Sequence, residues 1–152
     1  MKKLFIFLST LLISFSLLAR DPGEIDEKLV KSFSTSFPKA ENVHWYELPK
    51  SWVVSFVEDG MRSRIVYHKD GKVAEFTRYY FESNLPFIVH SKITKAYPDK
   101  KIFGVVEVSV VSESTNASKI EYFIKLEDDK SWLTVKSDNE GMLTVVEKYK
   151  KA

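Results

Sequence analysis

Trp52 to Asp59 (WVVSFVED) is the key to this chain, because a stretch of the same character, Tyr122 to Asp129 (YFIKLEDD), stands 70 positions later. Residues two apart in a strand share a face, so Trp52, Val54 and Phe56 line one side of the first stretch, and Tyr122, Ile124 and Leu126 line one side of the second. Downstream, Gly71 matches Gly141 at the same offset. Upstream, Ile25, Leu29, Phe33, Phe37 and Pro38 recur as Leu85, Val89, Ile93, Tyr97 and Pro98, each 60 positions on. Fixed offsets separated by one ten-residue insertion indicate a duplicated unit.

Each set of matched positions opens with apolar residues every four positions, the spacing of one helical face. Asp21-Pro22-Gly23-Glu24 has the composition of a helix start and Pro38 of its end. Asn84 and Pro86 open a second helix that Pro98 closes. Strands are predicted at Val43–Leu48, Trp52–Glu58, Arg62–His68 and Val73–Tyr79, and again at Ile102–Val111, Ile120–Leu126, Trp132–Lys136 and Leu143–Tyr149. Asp59-Gly60, Asp70-Gly71 and Asp138-Asn139-Glu140-Gly141 supply hairpin turns. The polar loop from Ser112 to Lys119 carries the insertion. The expected fold is α+β: two tandem repeats, about 21–80 and 84–149, each a helix plus four antiparallel strands, with the helices on one face of a broad antiparallel sheet. The other face, with His44, Tyr46, Val53, Ser55, Arg62, Arg64 and Lys125, is half solvated.

Composition bounds the function. Lys2 and Lys3 precede an apolar run from Leu4 to Leu18 and a small residue, Ala19, the layout of a secretory signal over 1–19. The remainder, 20–152, reads as a single domain. Those two lysines account for the whole excess of 23 basic over 21 acidic residues. A neutral mature chain with no basic stripe argues against nucleic acid and against an electrostatic membrane patch. With no cysteine, disulfides, thiolate metal sites and cysteine nucleophiles are excluded. A small exported domain held by its core alone points to the bacterial periplasm or to secretion.

No chemistry-bearing motif emerges. His44, His68 and His90 lack ligand spacing, so no metal is expected. Neither a nucleophile elbow nor a phosphate-binding glycine loop occurs, and no cofactor is implied. The acidic tips at Glu58-Asp59, Asp128-Asp129 and Asp138 to Glu140 read as solvated turns. Asn116-Ala117-Ser118 matches a glycosylation acceptor, which carries no meaning in a bacterium. Trp45 and Tyr46 are adjacent in one strand and therefore point to opposite faces, so one of them is exposed. Tyr79-Tyr80-Phe81 poses the same question.

The pattern Phe33-x-x-x-Phe37-Pro38-x-Ala40-x-x-Val43-x-Trp45, with Lys69-Asp70-Gly71-Lys72, Asn84-Leu85-Pro86 and Tyr97-Pro98, resembles the PepSY-like, β-lactamase-inhibitor-like family of exported bacterial proteins. The resemblance covers nearly the whole mature chain and rests on fold motifs. It implies a concave sheet surface that holds another protein, and a Bacteroidetes-type source. The disulfides of the β-lactamase inhibitory protein have no counterpart here, and no residue of its inhibitory loop can be matched. The expectation is a non-enzymatic binding module that engages a protein or peptide on the free sheet face, with Tyr46, Arg62 and Arg64 as contacts. The alternative is an inhibitor of a peptidase or other envelope enzyme acting through the 112–119 loop. An enzyme with unrecognised carboxylates, or a small-ligand carrier, is the third reading.

Overall fold

Eight strands follow one another in a single meander, each hydrogen-bonded to the next, from β1 to β8. They are β1 Glu41–Leu48, β2 Ser51–Glu58, β3 Met61–His68, β4 Val73–Tyr80, β5 Lys101–Val111, β6 Ser118–Glu127, β7 Ser131–Asp138 and β8 Leu143–Lys150. Helix α1, Glu27–Ser36, precedes β1, and a short 3-10 turn and helix α2, Phe87–Ala96, lie between β4 and β5. The structure is a computed structural model and describes residues 25–112, 115 and 117–151. The secretory segment over 1–19 and the helix start read at Asp21 to Glu24 lie outside the described residues.

The two-tandem-repeat architecture expected from the sequence is corrected by the pairing of β4 with β5. That ladder runs antiparallel from Glu75↔Val110 to Tyr80↔Val105, in the same fashion as the hairpins on either side. The result is one eight-stranded sheet with two ten-residue helices, and 56% of the described residues are strand. The physical reason is edge satisfaction. Left apart, β4 and β5 would each present a row of unpaired backbone groups, and joining them removes both edges.

Local chemistry explains the turns and caps. Asp26 caps α1 by accepting from the Lys28 N–H at 2.8 Å. The helix ends before Pro38, with the Phe37 N–H returned to the Phe33 carbonyl at 2.9 Å. Asn84 does not cap α2 as the sequence suggested; it belongs to the 3-10 turn Glu82–Asn84, and Pro86 stands at the cap position. Asp59 and Gly60 both take positive φ, 49° and 77°, the geometry of a two-residue hairpin whose twist matches its strands.

Both helices lie on the same face of the sheet. Leu29 and Phe33 of α1 are buried against Trp52, Val54, Phe56, Ile65 and Tyr67. Val89 and Ile93 of α2 are buried against Val105, Ile124, Leu126, Leu133 and Val135. Between the two cores sits a polar joint. Glu107 of β5 is 6% exposed and accepts from Arg78 Nε at 3.2 Å, from Arg78 Nη2, and from the Tyr80 hydroxyl at 2.7 Å. Burial, and then the hydrogen bond and charge of Glu107, push the Tyr80 hydroxyl far above its ordinary pKa, so it stays a proton donor.

Candidate binding face

The opposite face carries no helix among the described residues. By strand register it presents Tyr46, Val53, Val66, Glu75 and Val110 in one row, and Ser55, Arg64, Thr77, Val108 and Glu121 in the next. A third row is Val57, Arg62, Tyr79, Val106, Phe123 and Lys136. Val53 and Thr77 are buried there although no helix covers them. The curl of a twisted sheet and the long side chains around them shelter these positions.

A depression of about 720 Å³ crosses this face from the β2–β3 turn to β8. Its lining includes Tyr79, Phe81, Phe103, Val106, Phe123 and Val146, with Arg62, Lys125 and Glu147 as the charged members. Phe81 is 76% exposed and Phe103 52%, too much for core residues of their size. Phe103 owes its position to a bulge: Ile102 pairs Leu126 and Gly104 pairs Lys125, which leaves Phe103 as the extra residue. Its ring meets Trp132 edge-on with centroids 5.0 Å apart.

Lys125 is held by rings. Its ammonium stands 4.5 Å from the Trp132 ring, 5.7 Å from Phe103 and 5.9 Å from Tyr149. Lys151 lies 4.5 Å from Trp132 as well and pairs with Glu127 at 2.8 Å. Three aromatic faces turned on one cation fix a flexible side chain at modest energetic gain.

The three contacts read from the sequence do not gather in one place. Tyr46, on β1, is 39% exposed, while its neighbour Trp45 turns to the core and meets Phe33. Arg64 is engaged: its Nη2 donates to Glu75 Oε1 at 3.0 Å, and the same oxygen accepts from the Thr77 hydroxyl at 2.9 Å. Arg62 alone of the three lines the depression. Sequence reasoning singled out Tyr79, Tyr80 and Phe81 as a problem but not as a site, and it missed Phe103 and Phe123. The signal for Phe103 was its place beside Gly104, a glycine inside a strand, which marks a bulge. Of the 112–119 loop, residues 113, 114 and 116 lie outside the described residues, as does the glycosylation reading at Asn116.

Two of the acidic turns carry an aspartate that also bonds its own turn. Asp128 accepts from the backbone N–H of Lys130 at 2.8 Å and of Ser131 at 2.6 Å, and pairs with Lys100. The Lys100 ammonium, followed by those backbone donors, holds the Asp128 carboxyl well below the usual carboxylate range. Asp138 accepts from Glu140 and Met142 in the β7–β8 turn. His90 meets Glu82 at 2.7 Å. Among the described residues no helix is long and apolar enough to cross a membrane.

No family model and no curated protein matches this chain. Solved structures do. A BLIP-like protein of Bacteroides fragilis superposes with a TM-score of 0.60 at 14% identity, over 85% of this chain and 88% of that one. A DUF2874 family protein of Bacteroides ovatus gives 0.60 at 14% identity, over 85% and 89%. A Bacteroides eggerthii protein described as periplasmic gives 0.59 at 14% identity, over 84% and 90%. At such identities the likeness is one of fold.

Proposed function

We propose, from a fold shared with BLIP-like and DUF2874 proteins of Bacteroides, that this chain is a non-enzymatic binding module of the PepSY-like, β-lactamase-inhibitor-like kind. It engages a protein or peptide on the helix-free face. In this reading 1–19 is removed on export, and 20–152 works as one domain in the periplasm or outside the cell. The observation that carries the proposal is the aromatic depression: Phe81 and Phe103 stand exposed beside Tyr79 and Phe123, on the face that the fold leaves uncovered. Exposed aromatic residues grouped with arginine are the side chains that supply most binding energy at protein interfaces. The lining offers one carboxylate, Glu147, so the paired acids of hydrolytic chemistry do not converge in it. The BLIP-like description of a neighbour adds support for a protein as the bound partner.

The test is affinity capture from the envelope of the parent cells with three baits: the wild-type domain, a Phe81→Ser/Phe103→Ser variant and a Tyr46→Ala variant. The expected result is a specific partner retained by the wild-type and Tyr46→Ala baits and lost from the Phe81→Ser/Phe103→Ser bait. Equal retention by all three overturns the placement of the site.

A further inference from the structure

Arg62 and Lys125 stand on opposite sides of the aromatic floor, three strands apart and two residues along. Strand spacing of nearly 5 Å and a rise of about 3.3 Å per residue put their backbones about 16 Å apart. Among the described residues Arg62 has no ion pair, and the Lys125 ammonium rests on rings rather than on a carboxylate. Three other basic residues of this face are matched: Arg64 with Glu75, and Lys119 and Lys136 with Glu121. The depression thus presents two unmatched cations flanking apolar rings, against one acid, Glu147, on β8.

The geometry points to an extended peptide segment that carries two carboxylates four residues apart with a bulky apolar side chain midway between them. This rests on the binding reading above and names the chemistry of the partner. In an extended chain residues i, i+2 and i+4 share a face, and i to i+4 spans about 13 Å. The two carboxylates then meet Arg62 and Lys125 while the central ring enters between Phe81, Phe103 and Phe123. The Arg62 fork suits a carboxylate bidentately. Lys125, already immobilised by Phe103, Trp132 and Tyr149, loses little freedom on pairing.

Fluorescence anisotropy at low salt with three labelled peptides tests this: Gly-Ser-Glu-Thr-Phe-Thr-Glu-Ser-Gly, the same with both Glu as Gln, and the same with Phe as Ala. The Glu peptide is expected to bind about tenfold more tightly than the Gln peptide. Arg62→Gln and Lys125→Gln are each expected to weaken the Glu peptide about threefold and to leave the Gln peptide unchanged. Both residues are surface side chains, and unaltered thermal melting confirms that the variants fold. Equal affinity for the Glu and Gln peptides, both abolished by Phe103→Ser, overturns carboxylate recognition while the groove reading stands. Binding that Phe103→Ser does not touch overturns both. Absence of binding by all three peptides at millimolar concentration overturns the peptide inference. If decanoate then shifts the ring resonances of Phe103 and Phe123, the groove belongs to a single-chain amphiphile instead.

Discussion

The β1–β4 and β5–β8 portions of the sheet divide their aromatic residues in opposite ways. Under α1 the rings face the core: Phe33 meets Phe37, Trp45 and Phe56 at 5.0 to 5.5 Å, and Phe76 and Tyr67 complete the cluster. Under α2 the helix meets mainly aliphatic side chains, with Val89, Ile124, Leu126 and Val135 at 0% exposure. Of the rings on β5–β8 only Tyr122 joins that core; Phe123 lies on the other face, where Phe103, Trp132 and Tyr149 surround Lys125. A ten-residue helix can be covered by either chemistry. Where branched aliphatic residues close the core completely, aromatic residues are free to build a surface. The exposed rings of the helix-free face thus follow from how the second core is filled.

Substitutions set the two portions against each other, beginning with the cores. Phe33→Ala is expected to cost about 4 kcal/mol, since it empties the middle of a ring cluster, and Ile93→Ala about 3 kcal/mol. Urea unfolding measures both, and a larger loss at Ile93 would mean that the aromatic core is the looser one. Next comes the polar joint. Glu107→Ala leaves the buried Tyr80 hydroxyl without its acceptor, while Arg78, 38% exposed, can turn to water, and is expected to cost about 2 kcal/mol. Glu75→Ala, which breaks the half-exposed pair with Arg64, is expected to cost less than about 1 kcal/mol. Similar values for the two would show that the joint is not specially buried.

Finer differences separate the corresponding turns. Gly71 and Gly141 both have positive φ, 85° and 84°. A Cβ at Gly71 would meet nothing, whereas one at Gly141 would lie 2.7 Å from Lys92 Cγ and 3.4 Å from Ile88 Cγ2 on α2. Gly71→Ala is therefore expected to cost about 1 kcal/mol and Gly141→Ala about 2 kcal/mol in the same denaturation assay. The weakest signal lies in pH dependence. The folded-state pKa of Asp128 lies below its unfolded value, so its contribution is present above about pH 4 and is lost as pH falls through the folded pKa. Asp128→Asn is expected to flatten the acid limb of thermal stability below about pH 4; an unchanged limb would mean that Lys100 and the turn amides do not hold the carboxylate.

Much of the local structure is legible in the sequence, because it is set within a few residues. The alternation of Trp52, Val54 and Phe56, the four-residue spacing of Leu29 and Phe33, and the turn at Asp59-Gly60 all announce themselves. The strand ends differ from the sequence reading by one or two residues. One broad sheet is within reach of the sequence, but the β4–β5 register is not, because the 20 residues between these strands form a helical connection that specifies none. Glu107 looks like an ordinary solvent-facing charge until Arg78, 29 positions away, is placed beside it. The site suffers from the same blindness. Phe103 emerges from the strand only because Leu126 and Lys125 pair on either side of it, and Arg64 looks available until Glu75 becomes its neighbour. Arg62 and the exposed rings of Tyr79 and Phe81 on either side of the buried Tyr80 are within reach of sequence reasoning, since adjacent strand residues must face opposite ways.

Photo-crosslinking in the parent cells puts the helix-free face itself to the test. p-Benzoylphenylalanine replaces Phe103 on the aromatic side of that face, or Tyr46 at its ion-paired end. If the aromatic depression is the docking surface, position 103 gives one discrete adduct, abolished by Phe81→Ser, and position 46 gives none. A discrete adduct from position 46 with none from 103 would refute that placement.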